Sequence, residues 1–289
     1  MNTTFIRRHS GIIILMACFI LLKIFMVHTL VYASTKSDNL KKVQRILPGQ
    51  MGVISEEEFI DVAKTDYLKL LEYMAINYDS SVVDYTGTFV KQERIRGKLG
   101  KPQTIKFKFR NEPFSIFMEW TKNPGKADRL LFVKGQNNNK MILHPAGLLS
   151  LIKSIERDPR SKEVFKHSLS SCDQFGIRNM ISRVTRACEK SIKNNNFKAV
   201  FAGEKVINKR PCIVIETDIG KIEVLNYEGK TEISEVEKIV LTVDLGLRLP
   251  VSAESFDAKG KLVSKYTYSD LIFNTNLTDE NFKRKANKL

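Results

Sequence analysis

The chain has 289 residues, 43% of them hydrophobic and 9% aromatic, a globular composition that excludes wholesale disorder, collagen and coiled coil. Four cysteines are too few for a disulfide-built scaffold, and only one stretch is apolar enough to cross a bilayer, which excludes a multi-span membrane protein. Lys plus Arg number 47 against 32 Asp plus Glu; setting aside Arg7, Arg8 and Lys23 of the first 33 residues leaves 44 against 32, so an excess of +12 belongs to the folded part.

Arg7 and Arg8 precede the apolar run Gly11 to Leu22, and the sequence stays mostly apolar to Ala33. Residues 1–33 are therefore a signal peptide or an N-terminal membrane anchor. Val31-Tyr32-Ala33 before Ser34 gives signal peptidase its small −3 and −1 residues and favours cleavage after Ala33. Residues 11–33 are also long enough to remain as an anchor in the inner membrane, with Lys23 and His28 a modest penalty. Leu15-Met16-Ala17-Cys18 resembles a lipobox, although apolar residues follow Cys18 where a polar tether is expected. Each alternative puts the body in the periplasm or cell envelope, so no nucleic acid partner is expected despite the charge. Residues 34–53, polar and basic and containing Leu47-Pro48-Gly49, read as a linker.

A single domain is expected over 54–283. Ser55-Glu56-Glu57-Glu58 is a capping box opening a helix of about 20 residues that ends near Asn77. From Val82 the period becomes two: Thr104 to Arg110 alternates strictly, with Ile105, Phe107 and Phe109 on one face and Lys106, Lys108 and Arg110 on the other. Phe114 to Trp120, Leu130 to Val133 and Met141 to Leu143 continue as antiparallel strands. A second helix over Gly176 to Lys193 carries Ile177, Met180, Ile181, Val184, Ala187, Cys188 and Ile192 on one stripe. Strands resume from Lys198 to Tyr268, a short helix starts at Thr278, and residues 284–289 form a basic tail. About ten strands with hairpin links predict a mainly β (α+β) fold, a large curved antiparallel sheet covering one or two helices.

Chemistry-bearing residues are sparse. His144, His167 and Cys172 are the one nucleophile, base or soft-metal set in the exported part, and no C-x-x-C, H-E-x-x-H or G-x-S-x-G accompanies them. No catalytic residue, metal or cofactor is expected, and the protein reads as a non-enzyme. Cys172 and Cys188 flank the start of the second helix and are a candidate disulfide in an oxidising compartment; packing of lone thiols is the alternative. Gly97-Lys98-Leu99-Gly100-Lys101 lacks the G-x-x-x-x-G-K-[ST] spacing and reads as a hairpin turn.

Two features point to binding. Between residues 91 and 110, Lys91, Arg94, Arg96, Lys98, Lys101, Lys106, Lys108 and Arg110 oppose the single acid Glu93. This is either a solvated outer face or a footprint for an anionic membrane surface or an acidic envelope protein. The apolar strand faces, Phe107, Phe109, Phe114, Ile116, Met118 and Trp120 with Ile213, Ile215, Leu241 and Val243, either pack against the helices or form a groove for an acyl chain. In a groove each buried methylene contributes about 0.8 kcal/mol.

Tyr85-Thr-Gly-Thr-Phe-Val-Lys-Gln-Glu-Arg94, Gly97-Lys-Leu-Gly100, Arg110-Asn-Glu-Pro-Phe114, Trp120, Val133-Lys-Gly-Gln-Asn137, His144-Pro-Ala-Gly147, Phe175-Gly-Ile177 and Tyr266-Thr-Tyr-Ser-Asp-Leu271 with Asn274 and Phe282 together resemble a family of exported bacterial proteins, common in planctomycete-type bacteria, that carries a domain of unknown function. More distantly, the Phe89, Gln92 and Gly97 start, the Arg-x-x-Pro-Phe strand and the Asp-Leu-x-x-Asn ending are similar to LolA-like lipoprotein carriers and RseB-like periplasmic sensors. That similarity implies a half-open β-barrel closed by helices around a hydrophobic cavity. The expected function is accordingly the binding of lipid or lipoprotein acyl chains in that groove; the alternative is an interaction or sensor module docking an acidic partner through the 91–110 region.

Overall fold

The structure, a computed structural model, describes residues 54–149, 151, 154–226 and 228–289. The signal, anchor, lipobox and linker readings fall on residues 1–53 and lie outside the described residues.

The described residues open with α1 (Glu56–Thr65), whose N-cap Ser55 accepts from the Glu58 amide at 3.0 Å. The single helix expected here is two. Asp66 leaves helical geometry and its carboxylate accepts from the Lys69 amide at 3.0 Å, so it ends α1 and caps α2 (Tyr67–Ser81). An acid able to serve as an N-cap, which the apolar rhythm alone does not register, turns the chain between them. Leu70, Leu71 and Met74 on α2 are fully buried, and each contributes about 1.5 to 3 kcal/mol by leaving water.

Fourteen strands follow: β1 (Asp84–Ile95), β2 (Lys98–Leu99), β3 (Gln103–Arg110), β4 (Ser115–Lys122), β5 (Ala127–Val133), β6 (Met141–Pro145), β7 (Ile155–Arg157), β8 (Lys198–Ile207), β9 (Arg210–Asp218), β10 (Glu223–Leu225), β11 (Thr231–Ile233), β12 (Lys238–Asp244), β13 (Leu249–Phe256) and β14 (Leu262–Phe273). Between β7 and β8 lie α3 (Lys162–Phe165) and α4 (Ile177–Lys193). Twelve strands form one antiparallel sheet ordered β7-β6-β5-β4-β3-β1-β14-β13-β12-β9-β8, with β2 paired to β1; β10 and β11 are a separate hairpin. The first strand meets the last, Phe89 opposite Tyr268 and Tyr85 opposite Phe273, and the two end strands do not pair. The sheet is open, as the mainly β expectation has it.

Alternation sends one set of side chains to each face. The inward set of β1, β3 to β6, β9, β12 and β13 packs with Phe59, Tyr67, Leu70, Leu71, Met74 and Tyr78 of α1 and α2 and with Ile177, Met180, Ile181, Val184 and Cys188 of α4 into one core. A smaller core lies on the outer face, where Phe117, Leu131, Val133 and Ile142 meet Phe282, with Leu277 and Leu289 packed against them. Residues 284–289, read from their charge as a tail, thus close onto the sheet.

Asp84 fixes where the first and last strands meet. Its buried carboxylate accepts from the Thr275 amide at 2.6 Å, the Thr275 hydroxyl at 2.8 Å and the Leu277 amide at 2.9 Å. Asn274 donates from Nδ2 to the Ser81 carbonyl at 2.8 Å and accepts the Val83 amide at 2.9 Å, joining the end of α2 to the same corner. Asp84→Ala strands two half-buried amides and is expected to lower stability by about 1 to 3 kcal/mol, measured as a shift of the urea midpoint at unchanged slope.

Candidate functional site

The concave face carries an aromatic cup. Phe89 of β1, Phe107 and Phe109 of β3 and Tyr268 of β14 come together because their strands are neighbours and their positions share a parity. Phe175 enters this cup from the connector before α4. Its ring centroid lies 5.2 Å from Phe89, 5.1 Å from Phe107, 5.8 Å from Phe109 and 5.7 Å from Tyr268, edge-on or tilted to each.

Local structure delivers Phe175 to that seat. Ser171 and Gln174 bracket a 3-10 turn over Cys172–Gln174, Phe175 is extended, and Gly176 takes φ 114° before α4 begins. A Cβ on Gly176 would stand 3.2 Å from both the Phe109 ring and the Tyr85 hydroxyl, so backbone conformation and close approach both require glycine here. The Tyr85 hydroxyl accepts the Ile177 amide at 2.9 Å, satisfying the first turn of α4. Burial pushes Tyr85 and Tyr268 well above the usual phenol range, so both remain neutral.

A polar cluster adjoins the cup toward the 95–102 turn. Lys91 and Glu93 follow Phe89 at the same parity; Lys91 Nζ lies 3.1 Å from Glu93 Oε2 and 3.2 Å from the Ser168 hydroxyl, and the Tyr266 hydroxyl donates to Glu93 Oε1 at 2.7 Å. Glu93 is buried. Burial and the neighbouring Glu93 charge hold Tyr266 far above its ordinary pKa. The cluster ties β1 and β14 to the connector bearing Phe175.

The groove residues read from sequence are placed as follows. Phe107, Phe109, Ile116, Met118, Ile213, Ile215, Leu241 and Val243 are buried in the main core, and Phe114 and Trp120 are half-buried at its edge. They are brought to one face, but that face is occupied: α1, α2 and α4 lie on it and Phe175 fills the cup. Of the two expectations for this face, the structure has its residues packed against the helices. Strand parity identifies a face and is silent on the connector that comes back to cover it. Phe89, Tyr268, Tyr85 and Phe175 were missed as site residues; Phe175-Gly176 ahead of a helix was the available signal.

The basic stretch disperses. Lys91 turns inward to Glu93, and Arg94 donates to the carbonyls of Leu262 and Gly97. Lys108 reaches Asn287 at 3.1 Å and covers the Phe117 ring, while Arg110, buried, pairs with Asp279 at 2.7 Å over the Phe282 ring. Arg96, Lys98, Lys101 and Lys106 stay exposed. A continuous 91–110 docking face is therefore absent: the acidic and polar groups answering Lys108 and Arg110 come from the chain's own C-terminal segment.

The remaining candidates separate too. His144 Nδ1 lies 2.7 Å from Asp128, His167 lies 3.5 Å from Glu163, and the Cys172 sulfur sits 3.8 Å from that of Met141. Cys172, Cys188 and Cys212 are all free, which corrects the candidate disulfide. Cys172 packs against Met141 of β6, and Cys188 lies on the buried stripe of α4. Among the described residues no group of three or more His, Cys, Asp or Glu is placed to hold a metal ion, and no helix is long and apolar enough to cross a membrane. On the outer face, a cleft of about 820 Å³ is lined by Glu216, Asp218, Glu237, Lys238, Val240 and Phe256 among others.

Residues 82–288 match the model of the family described as protein of unknown function (DUF1571), and the chain belongs to that family. The tRNA modification GTPase MnmE of Helicobacter pylori strain HPAG1 is 26% identical over 264 residues, 78% of this chain and 54% of that protein. The chain thus spans about half the length of that curated relative, and its 97–101 glycines form a strand-to-strand turn without phosphate-loop spacing. Among solved structures, the Pseudomonas aeruginosa MucA/MucB complex is similar at TM-score 0.43 and 13% identity, over 77% of this chain and 62% of that one. A putative outer membrane lipoprotein-sorting protein domain from Vibrio parahaemolyticus is similar at TM-score 0.35 and 14% identity, over 77% and 98%.

Burial pushes the Cys188 thiol up to about 12 and raises Cys172 further. In native protein Cys172 and Cys188 are expected to resist a thiol-specific reagent at pH 8 and to react once guanidinium is added; a non-reducing peptide map carrying a Cys172–Cys188 crosslink would contradict the assignment.

Proposed function

We propose that this DUF1571 protein is an exported, non-catalytic binding module of the bacterial envelope whose concave aromatic face takes an apolar guest, a lipid or the acyl chain of a lipoprotein. In this reading the guest takes the seat that Phe175 fills. The observation that carries the reading is the origin of that ring: the cup of Phe89, Phe107, Phe109 and Tyr268 is filled by a side chain of a connector, outside the helical layer. The connector is built from short pieces, the four-residue α3 and a three-residue 3-10 turn, and it ends at the φ-positive Gly176. Such a segment exposes less apolar surface on release than a packed helix does, so it is the least costly part of the cover to exchange for a guest. A guest needs only apolar contact and exclusion of water there, which accords with a floor of aromatic rings lacking a nucleophile or base.

Phe175→Ala tests the reading. Emptying the cup is expected to cost about 3 to 4 kcal/mol and to raise uptake of a fluorescent long-chain fatty acid severalfold over the unaltered chain. Unlabelled fatty acid should recover part of the lost melting temperature. A Phe175→Ala protein with native circular dichroism that takes up no fatty acid, together with no lipid in solvent extracts of the unaltered chain, would overturn it.

A further inference from the structure

The hairpin turns at one end of the sheet form a row. Antiparallel order puts the β1–β3, β4–β5, β6–β7 and β13–β14 connections at the same end, and hydrogen bonds join neighbouring tips. Arg94 donates to the carbonyls of Gly97 and Leu262, Asn123 Nδ2 donates to the Pro102 carbonyl at 2.7 Å, and the Ala146 amide donates to the Lys126 carbonyl at 3.0 Å. Eight strands at about 4.8 Å spacing make the row about 34 Å wide.

Its composition is one-sided. Arg96, Lys98, Lys101, Lys122, Lys126, Lys259 and Lys261 are exposed there, and none has an ion-pair partner among the described residues. Of the acids nearby, Asp128 holds His144 and Asp257 accepts the Lys259 and Lys261 amides, while Asp218 and Glu237 line the cleft beside the Asp257 turn. Beside the Lys126 tip, Leu148 and Leu151 are 100% and 94% exposed, the most exposed large apolar side chains among the described residues.

We propose that this row of tips is a membrane-docking edge: Leu148 and Leu151 enter the boundary between headgroups and acyl chains of an anionic bilayer, and the lysines and Arg96 take the headgroup phosphates. The occupant follows from charge and shape. Unpaired cations on flexible stems beside two projecting apolar side chains suit a laminar anionic surface. The inference is independent of the guest reading, since no residue of the aromatic cup takes part.

The chain's single tryptophan, Trp120, allows a local test on the full chain. Leu148→Trp is made in a Trp120→Phe background and mixed with vesicles of phosphatidylglycerol and phosphatidylcholine containing brominated acyl chains. Expected are a blue shift and quenching of the introduced indole, neither appearing on pure phosphatidylcholine, with both falling off as salt rises from about 0.05 to 0.5 M. Lys101→Glu, Lys122→Glu and Lys126→Glu together should weaken the response at least about tenfold. Unchanged emission on anionic vesicles, as a protein-binding tip would give, or quenching indifferent to lipid charge or to the three reversals, would overturn the proposal. Fatty-acid uptake measured on the charge-reversed protein is expected to stay at the unaltered level, which separates this outcome from that of the guest reading.

Discussion

An open antiparallel sheet with one greasy face must be covered, and the rest of this molecule is organised around how that face is filled. Three helices supply most of the cover, but strand curvature leaves a cup of four aromatic rings between helix layer and sheet, and a single phenylalanine from a connector fills it. That placement constrains its surroundings. Gly176 must accept a left-handed backbone directly over Phe109, Tyr85 must supply an acceptor to the first amide of α4, and the buried hydroxyls of Tyr85 and Tyr268 must stay protonated.

Charge is allotted with the same economy of surface. Residues on one strand that share a sign have different destinations: Lys108 and Arg110 are consumed by the C-terminal segment, which covers the outer face of β4 to β6 and buries Phe282 there. Arg96, Lys98 and Lys101 at one hairpin tip stay exposed. The positive charge of the folded part thus divides between internal clamps and exposed side chains, those of the hairpin tips among them.

Sequence reading captured the elements with a strong period and missed what depends on tertiary return. Alternation in Thr104 to Arg110 and Phe114 to Trp120 located the inward faces correctly, and the stripe on α4 predicted its buried side through Cys188. It failed at Asp66, where one capping acid divides a continuous apolar rhythm, and at Ile192, which the stripe includes but which lies 40% exposed. The groove was half legible. Its floor follows from parity, whereas the ring that fills it comes from residue 175, whose position depends on a turn and a φ-positive glycine with no periodic signature. The basic cluster misled for a related reason: adjacency in sequence along a strand gives opposite faces, and the partner of Arg110 lies 169 residues away at Asp279.

Hydrogen exchange followed by mass spectrometry, with and without a long-chain fatty acid, addresses the idea of an exchangeable ring most directly. If Phe175 yields its seat to a guest, amides of residues 168–177 lose protection when fatty acid is added while those of 103–118 keep theirs. Protection over 168–177 equal to that of the strands and unmoved at saturating fatty acid would mean that the ring is permanent core, and the account of a guest-binding face would fall.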